Sequence, residues 1–180
     1  TTFNFLGPLA NPAQPIATSL GVSNAKLAPL MAAELAARGR SALVFRGHDG
    51  LDELSTAGNS QIWVVSGGKI TEITLNPTDI GVKLAETSHI LGGDAHFNAQ
   101  VTRDLLSGDR SGNLAAVRDI VAVNAAGGFL AFELATDSPE VVDQKWFDER
   151  FRVALGRAFE ALDSGAAAKK LSAWMDATQA

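Results

Sequence analysis

Apolar positions along this chain follow two periodicities, and the change from one to the other divides the sequence. In its first part IATSLGV (Ile16–Val22) alternates as a strand does. SALVFRG (Ser41–Gly47) is a short apolar run between turn signals, as expected of a strand buried in a parallel sheet. Between them a helix is predicted from about Ala25 to Ala37. Ser23 or Asn24 stands at its N-cap, Pro29 falls in the first turn, where proline is tolerated, and Gly39 follows as a stop. Strand, helix and strand at this spacing predict a βαβ unit with a right-handed crossover. SQIWVVSGGKITEITL then predicts a hairpin that turns at Ser66-Gly67-Gly68 and ends at Asn76-Pro77.

From Asp94 onward the pattern is helical. GGDAHFNAQVTRDLLSG predicts a helix with Asp94 near its N-cap and Gly108 beyond its end. Asn113–Leu134 is apolar nearly all round and predicts a central buried helix, in which Gly127-Gly128 suggest close approach of another backbone. DQKWFDERFRVALGRAFEALDSG is amphipathic, with Trp146, Phe147, Phe151, Leu155, Phe159 and Leu162 as its inward face. Gly165 separates it from a last short helix that holds Leu171 and Trp174. At the front, Thr1–Pro15 holds three prolines and predicts an extended lead-in. The sum is an α/β domain, a small mixed β-sheet with helices packed on it.

Composition narrows the function classes. The 180 residues suffice for one domain with a real core, and 46% hydrophobic with 19% charged residues is globular composition. A net charge of −5 with no Lys/Arg cluster argues against nucleic acid as a partner but is compatible with anionic small molecules. The absence of cysteine excludes disulfides and thiolate metal sites and fits a cytoplasmic protein. No uninterrupted apolar run approaches the roughly 18 residues of a membrane span, so no membrane is expected. The opening TTFNFLGPLANP has neither a basic n-region nor an initiator Met, and it reads as the middle of a longer protein.

Candidate chemistry concentrates in FRGHDGLDELS (residues 45–55). Asp52 and Glu53 follow a predicted strand, at the carboxyl end where α/β sheets place their ligands. Adjacent carboxylates there can share Mg²⁺ with substrate phosphates; equally, Asp52 can cap a short helix while Glu53 is solvated. His48 in the same loop is a ligand, a general base or a polar loop residue. His89 and His96 lack a Cys, or a His at zinc spacing, and read as surface or hydrogen-bonding residues. Ser55, Ser66 and Ser107 lack G-x-S-x-G surroundings, and neither a dinucleotide fingerprint nor a P-loop occurs. Gly92-Gly93-Asp94 is an anion nest or a helix cap. FNFLGPLANPAQP sets apolar side chains on a backbone stiffened by Gly7-Pro8 and Asn11-Pro12, either as a linker or as the rigid wall of a pocket for an apolar or aromatic substrate.

Taken together, TTFNFLGPLANPAQP, GHDGLDELS, LGGDAHFNAQ and RDIVAVNAA closely resemble the C-terminal α/β part of anthranilate phosphoribosyltransferase, in order and over essentially the whole chain. The pyrimidine nucleoside phosphorylases are more remote and lack these runs. The resemblance implies the α/β domain of the class III phosphoribosyltransferase and nucleoside phosphorylase fold, occupying residues 1–180 with 1–15 as hinge. It implies transfer of phosphoribosyl from phosphoribosyl diphosphate to anthranilate, with release of pyrophosphate and a requirement for Mg²⁺. Asp52 and Glu53 match the acidic pair that holds Mg²⁺ on the diphosphate, and Gly7 and Pro8 match hinge residues that line the anthranilate path. No catalytic nucleophile is implied. Absent from the chain are the N-terminal helical domain, through which the family dimerises, and the glycine-rich G-T-G-G-D loop, so the 180 residues alone are expected to be inactive. The alternatives are a non-catalytic binding or regulatory module of the same fold and a nucleoside phosphorylase relative.

Overall fold

A computed structural model of the chain describes residues 7–179. Its elements are β1 (Ala17–Gly21), α1 (Ala28–Ala37), β2 (Ser41–Gly47), β3 (Ser60–Ser66), β4 (Lys69–Leu75), α2 (Ala95–Ser107), α3 (Leu114–Thr136), α4 (Gln144–Asp163) and α5 (Ala166–Gln179). Short 3₁₀ turns at Pro77–Ile80 and Thr87–His89 lie between β4 and α2. The strands form one sheet in the order β1-β2-β3-β4; β1 and β2 are parallel and the other pairs antiparallel. The mixed sheet, the βαβ unit and the hairpin are therefore present as expected. Gly67 and Gly68 form the hairpin turn with φ of +56° and +74°, the left-handed pair that a two-residue turn needs.

Alternate side chains of the central strands feed two cores. Leu43, Phe45, Ile62 and Val64 pack beneath α3 and α4, while Ala42, Val44, Trp63 and Val65 pack beneath α1. A strand's side-chain period of two dictates this division. On α4, Phe147 and Phe151 are fully buried with ring centroids 5.3 Å apart, as the amphipathic pattern predicts. Trp146 and Phe159 pack at the margin of the same core. α3 is long and apolar enough to cross a membrane, but Val123, Ala126, Leu130 and Leu134 are buried against the sheet and α4, and the helix serves as the domain's core.

Arg118 of α3 ties α4 in place. Its guanidinium donates to both carboxylate oxygens of Asp163, at 3.0 and 2.8 Å, and lies 4.1 Å from the centroid of Phe159. Arg110 adds a 2.7 Å bond to the same carboxylate. Hydrogen bonding from Arg118 holds the Asp163 carboxyl below its ordinary value.

Three local expectations need correction. Within the lead-in, residues 1–6 lie outside the described residues, and residues 7–9 are helical instead of extended. α1 begins at Ala28, not Ala25, and Leu27 at its N-cap makes no side-chain cap bond. Asn24 instead closes a turn, its Oδ1 accepting from the Lys26 N–H at 3.0 Å while its carbonyl accepts from Leu27 and Ala28. Finally, it is side chains and not another backbone that approach α3 at its glycine pair. A Cβ on Gly127 would lie 3.0 Å from Leu54 Cδ1 and 3.5 Å from Ser19 Oγ, while Gly128 has open space.

Candidate functional site

The loop from Gly47 to Asn59 leaves the carboxyl end of β2 and crosses the carboxyl end of its parallel neighbour β1. The Asp52 carbonyl sits directly over Gly21, the last residue of β1; a Cβ there would fall 1.6 Å from that oxygen. Only glycine lets the loop come this close.

Ties on both sides fix the loop. Before the acidic pair, the Leu51 N–H donates to Asp49 Oδ1 at 3.1 Å, and the Leu51 carbonyl accepts from the Gly47 N–H at 3.0 Å. Behind it, the buried Ser55 hydroxyl donates to Asp49 Oδ2 at 2.5 Å, and the Ser55 N–H donates to Ser60 Oγ at 2.9 Å. Leu54, fully buried, is held by α3: its N–H donates to Asn124 Oδ1 and its carbonyl accepts from Asn124 Nδ2, both at 2.9 Å. Asn124 Nδ2 also donates to the Ile120 carbonyl at 3.0 Å.

Asp52 and Glu53 stand between these ties, both exposed. Among the described residues neither carboxylate has a hydrogen-bond or ion-pair partner. Asp52 caps no helix, since the segment after it is bend and irregular. The two residues border different clefts. Asp52 lines one of 290 Å³ together with Pro8, Gly21, Val22, Ser23 and Asn24. Glu53 lines a larger, mostly apolar one of 560 Å³ with Leu91, Phe97, Val117 and Val121.

Of the residues singled out in the sequence, Pro8 and Asp52 thus meet in one cleft, bounded by the end of β1 and the start of α1. Gly7 is exposed and borders none of these clefts. His48 is exposed in the loop, its N–H donating to the Asn59 carbonyl at 2.9 Å. His89 lies 3.9 Å from Glu86, and His96 is exposed on α2. Gly92–Asp94 forms a helix cap: Asp94 Oδ1 accepts from the Phe97 N–H at 2.9 Å, and the Gly93 N–H is taken by Asn98 Oδ1 at 2.9 Å. That amide is not free for an anion. Gly21 and Asn124 were not singled out from sequence. Asn124 lies 70 residues from the backbone it holds, and its one signal is a polar amide within the apolar stretch IVAVNAAGGFLAF of the helix.

The chemistry of the donor set fits Mg²⁺ of a particular kind. Among the described residues no group of three or more His, Asp or Glu could enclose a metal. Mg²⁺ commonly takes only one or two carboxylates, keeps waters and completes its shell with phosphate oxygens. Two exposed carboxylates with no ion-pair partner among the described residues, on a pinned loop, suit an ion that arrives with an anionic substrate.

Residues 1–168 match the family described as glycosyl transferase family, α/β domain. An anthranilate phosphoribosyltransferase of Leifsonia xyli subsp. xyli is 48% identical over 179 residues, which are 99% of this chain and 50% of that protein. The chain therefore spans about half the length of the curated relatives it matches. Among solved structures, anthranilate phosphoribosyltransferase from Saccharomyces cerevisiae in complex with PRPP and Mg aligns with a TM-score of 0.77 and 27% identity, over 98% of this chain and 46% of that one. The same yeast enzyme with 4-fluoroanthranilate aligns at 0.71 and 25% identity, over 89% of this chain and 42% of that one.

Proposed function

This chain belongs to the glycosyl transferase family, as its α/β domain, and on that premise we propose that it is the C-terminal part of an enzyme joining anthranilate to the ribose of phosphoribosyl diphosphate with release of pyrophosphate. The observation that carries the proposal is the Asp52–Glu53 pair, without a side-chain partner among the described residues and pinned at the carboxyl end of two parallel strands between two clefts. Support also comes from the relatives, which bear this activity in their names, and from structural neighbours that hold PRPP, Mg and an anthranilate analogue.

In this proposal the amine of anthranilate attacks the ribose carbon as the C–O bond to diphosphate breaks. The chain supplies position and charge, with no nucleophile and no covalent intermediate. Asp52 and Glu53 hold Mg²⁺, which when bound neutralises charge on the departing diphosphate. Pro8 walls the Asp52 cleft, and with Gly7 it belongs to the path by which the aromatic acceptor enters. The 180 residues alone have no significant turnover, because the portion that the relatives carry in addition supplies the remaining contacts to both substrates.

The test is Asp52→Asn combined with Glu53→Gln in the complete protein. Mg²⁺-dependent product formation is expected to fall by two orders of magnitude or more, roughly the loss that accompanies misplacement of a positioned reactant. Thermal stability is expected to change little, since exposed loop charges contribute roughly 0–1 kcal/mol. An unchanged rate sinks the metal role. Measurable synthesis by the isolated 180-residue chain sinks the requirement for the rest of the protein.

A further inference from the structure

The Asp52–Glu53 dipeptide makes no hydrogen bond of its own among the described residues; its place is set by the ties at Leu51 and Leu54 and by the contact of Asp52 with Gly21. On the Glu53 side that tie is one side chain. Asn124 presents its amide as a strand would present a peptide group, satisfying both main-chain groups of Leu54 at 2.9 Å. It also borders, with Glu53, Ile120 and Val121, a shared cleft of 320 Å³. Asparagine is a poor helix-interior residue, and here its amide bonds outward to the loop.

We infer that Asn124 is a positioning residue for Glu53: by fixing Leu54 it holds the neighbouring carboxylate where it captures a divalent cation, so losing the amide weakens the cation directly. The inference rests on the metal reading above. Gln144 provides an internal control. Its amide holds Thr74 of β4 in the same two-bond manner, accepting from the N–H at 3.2 Å and donating to the carbonyl at 3.0 Å, at the opposite edge of the sheet from β1, over which the acidic pair lies. Gln144→Ala removes an equivalent clamp and leaves the loop untouched.

The experiment uses the complete protein with Mn²⁺ as probe and inorganic pyrophosphate present, and reads bound Mn²⁺ by paramagnetic resonance. Asn124→Ala is expected to raise the Mn²⁺ dissociation constant about 10- to 100-fold, the effect typical of removing a residue that orients a metal ligand. Gln144→Ala is expected to stay within about twofold, although both variants lose a clamp of the same kind. Asn124→Ser, whose hydroxyl can still donate to the Ile120 carbonyl, serves if the alanine variant folds poorly, and the same weakening is expected. In turnover the half-saturating Mg²⁺ rises while KM for anthranilate holds. The positioning role is overturned if Asn124→Ala or Asn124→Ser binds Mn²⁺ like the parent, or if Gln144→Ala weakens it equally. If the parent itself binds no Mn²⁺ with pyrophosphate, the metal reading falls and the inference with it.

Discussion

Replacing Gly21 with alanine tests how far the site depends on the approach of its loop to β1. The new Cβ would lie 1.6 Å from the Asp52 carbonyl oxygen, 2.5 Å from its carbonyl carbon and 3.3 Å from its Cα. Real Cβ contacts essentially never fall below 3.0 Å, so the Asp52 main chain must retreat by more than 1 Å. A shift of that size in a positioned group costs on the order of 10²-fold in rate. Overpacking of this kind also destabilises by about 1–3 kcal/mol, so thermal unfolding is followed in parallel and activity is compared well below the midpoint. The assay is anthranilate consumption by the complete protein, with Mg²⁺ varied at saturating phosphoribosyl diphosphate. The expected outcome is a roughly 10²-fold loss in kcat/KM with a raised Mg²⁺ requirement. Parental turnover and parental Mg²⁺ dependence in Gly21→Ala would refute the claim that this contact sets the carboxylates.

The remaining expectations concern the scaffold. Phe151→Ala empties the centre of the α3–α4 core and is expected to cost about 3–5 kcal/mol, read by denaturant unfolding; a loss under about 1 kcal/mol would mean the site collapses around the cavity. Asp163 is held below its ordinary value of 3.8 by hydrogen bonds from Arg118, so its contribution is present above pH 3.8 and is lost as the pH falls through its lower folded value. Asp119 is raised by burial, which has the opposite sign: acidification toward 3.8 relieves its penalty and adds stability. Thermal midpoints of Asp163→Asn are therefore expected to flatten below pH 3.8, and those of Asp119→Asn above it. Profiles parallel to the parent's on both sides would remove the assignment.

Much of the fold was legible because its signals are local. The hairpin follows from Gly67-Gly68 between β-rich runs, and the inward face of α4 from apolar spacing, down to the Phe147–Phe151 pair. The start of α1 was misplaced because Asn24 caps equally well a turn or a helix, and only the packed chain selects between them. For the site, two adjacent carboxylates after a strand were visible in sequence. What holds them was not. Gly21 matters through a contact 31 residues away along the chain and Asn124 through one 70 residues away. Which clefts Asp52 and Glu53 border is also tertiary, since it depends on what α1, α2 and α3 bring against the loop.

β1 has a consequence for how the chain behaves in concentrated solution. Among the described residues it pairs on one side only, with β2, while α3 packs on one face, so its outer row of main-chain N–H and C=O groups is left open to a partner. Its sequence, Ala-Thr-Ser-Leu-Gly, contains no lysine, glutamate or proline to discourage a foreign strand. The edge is therefore expected to accept an extended polypeptide through main-chain pairing. Light scattering of the 180-residue chain should rise with concentration and fall when Ser19, the exposed residue of the strand, is changed to Lys. Scattering that ignores the Ser19→Lys change would place the stickiness elsewhere.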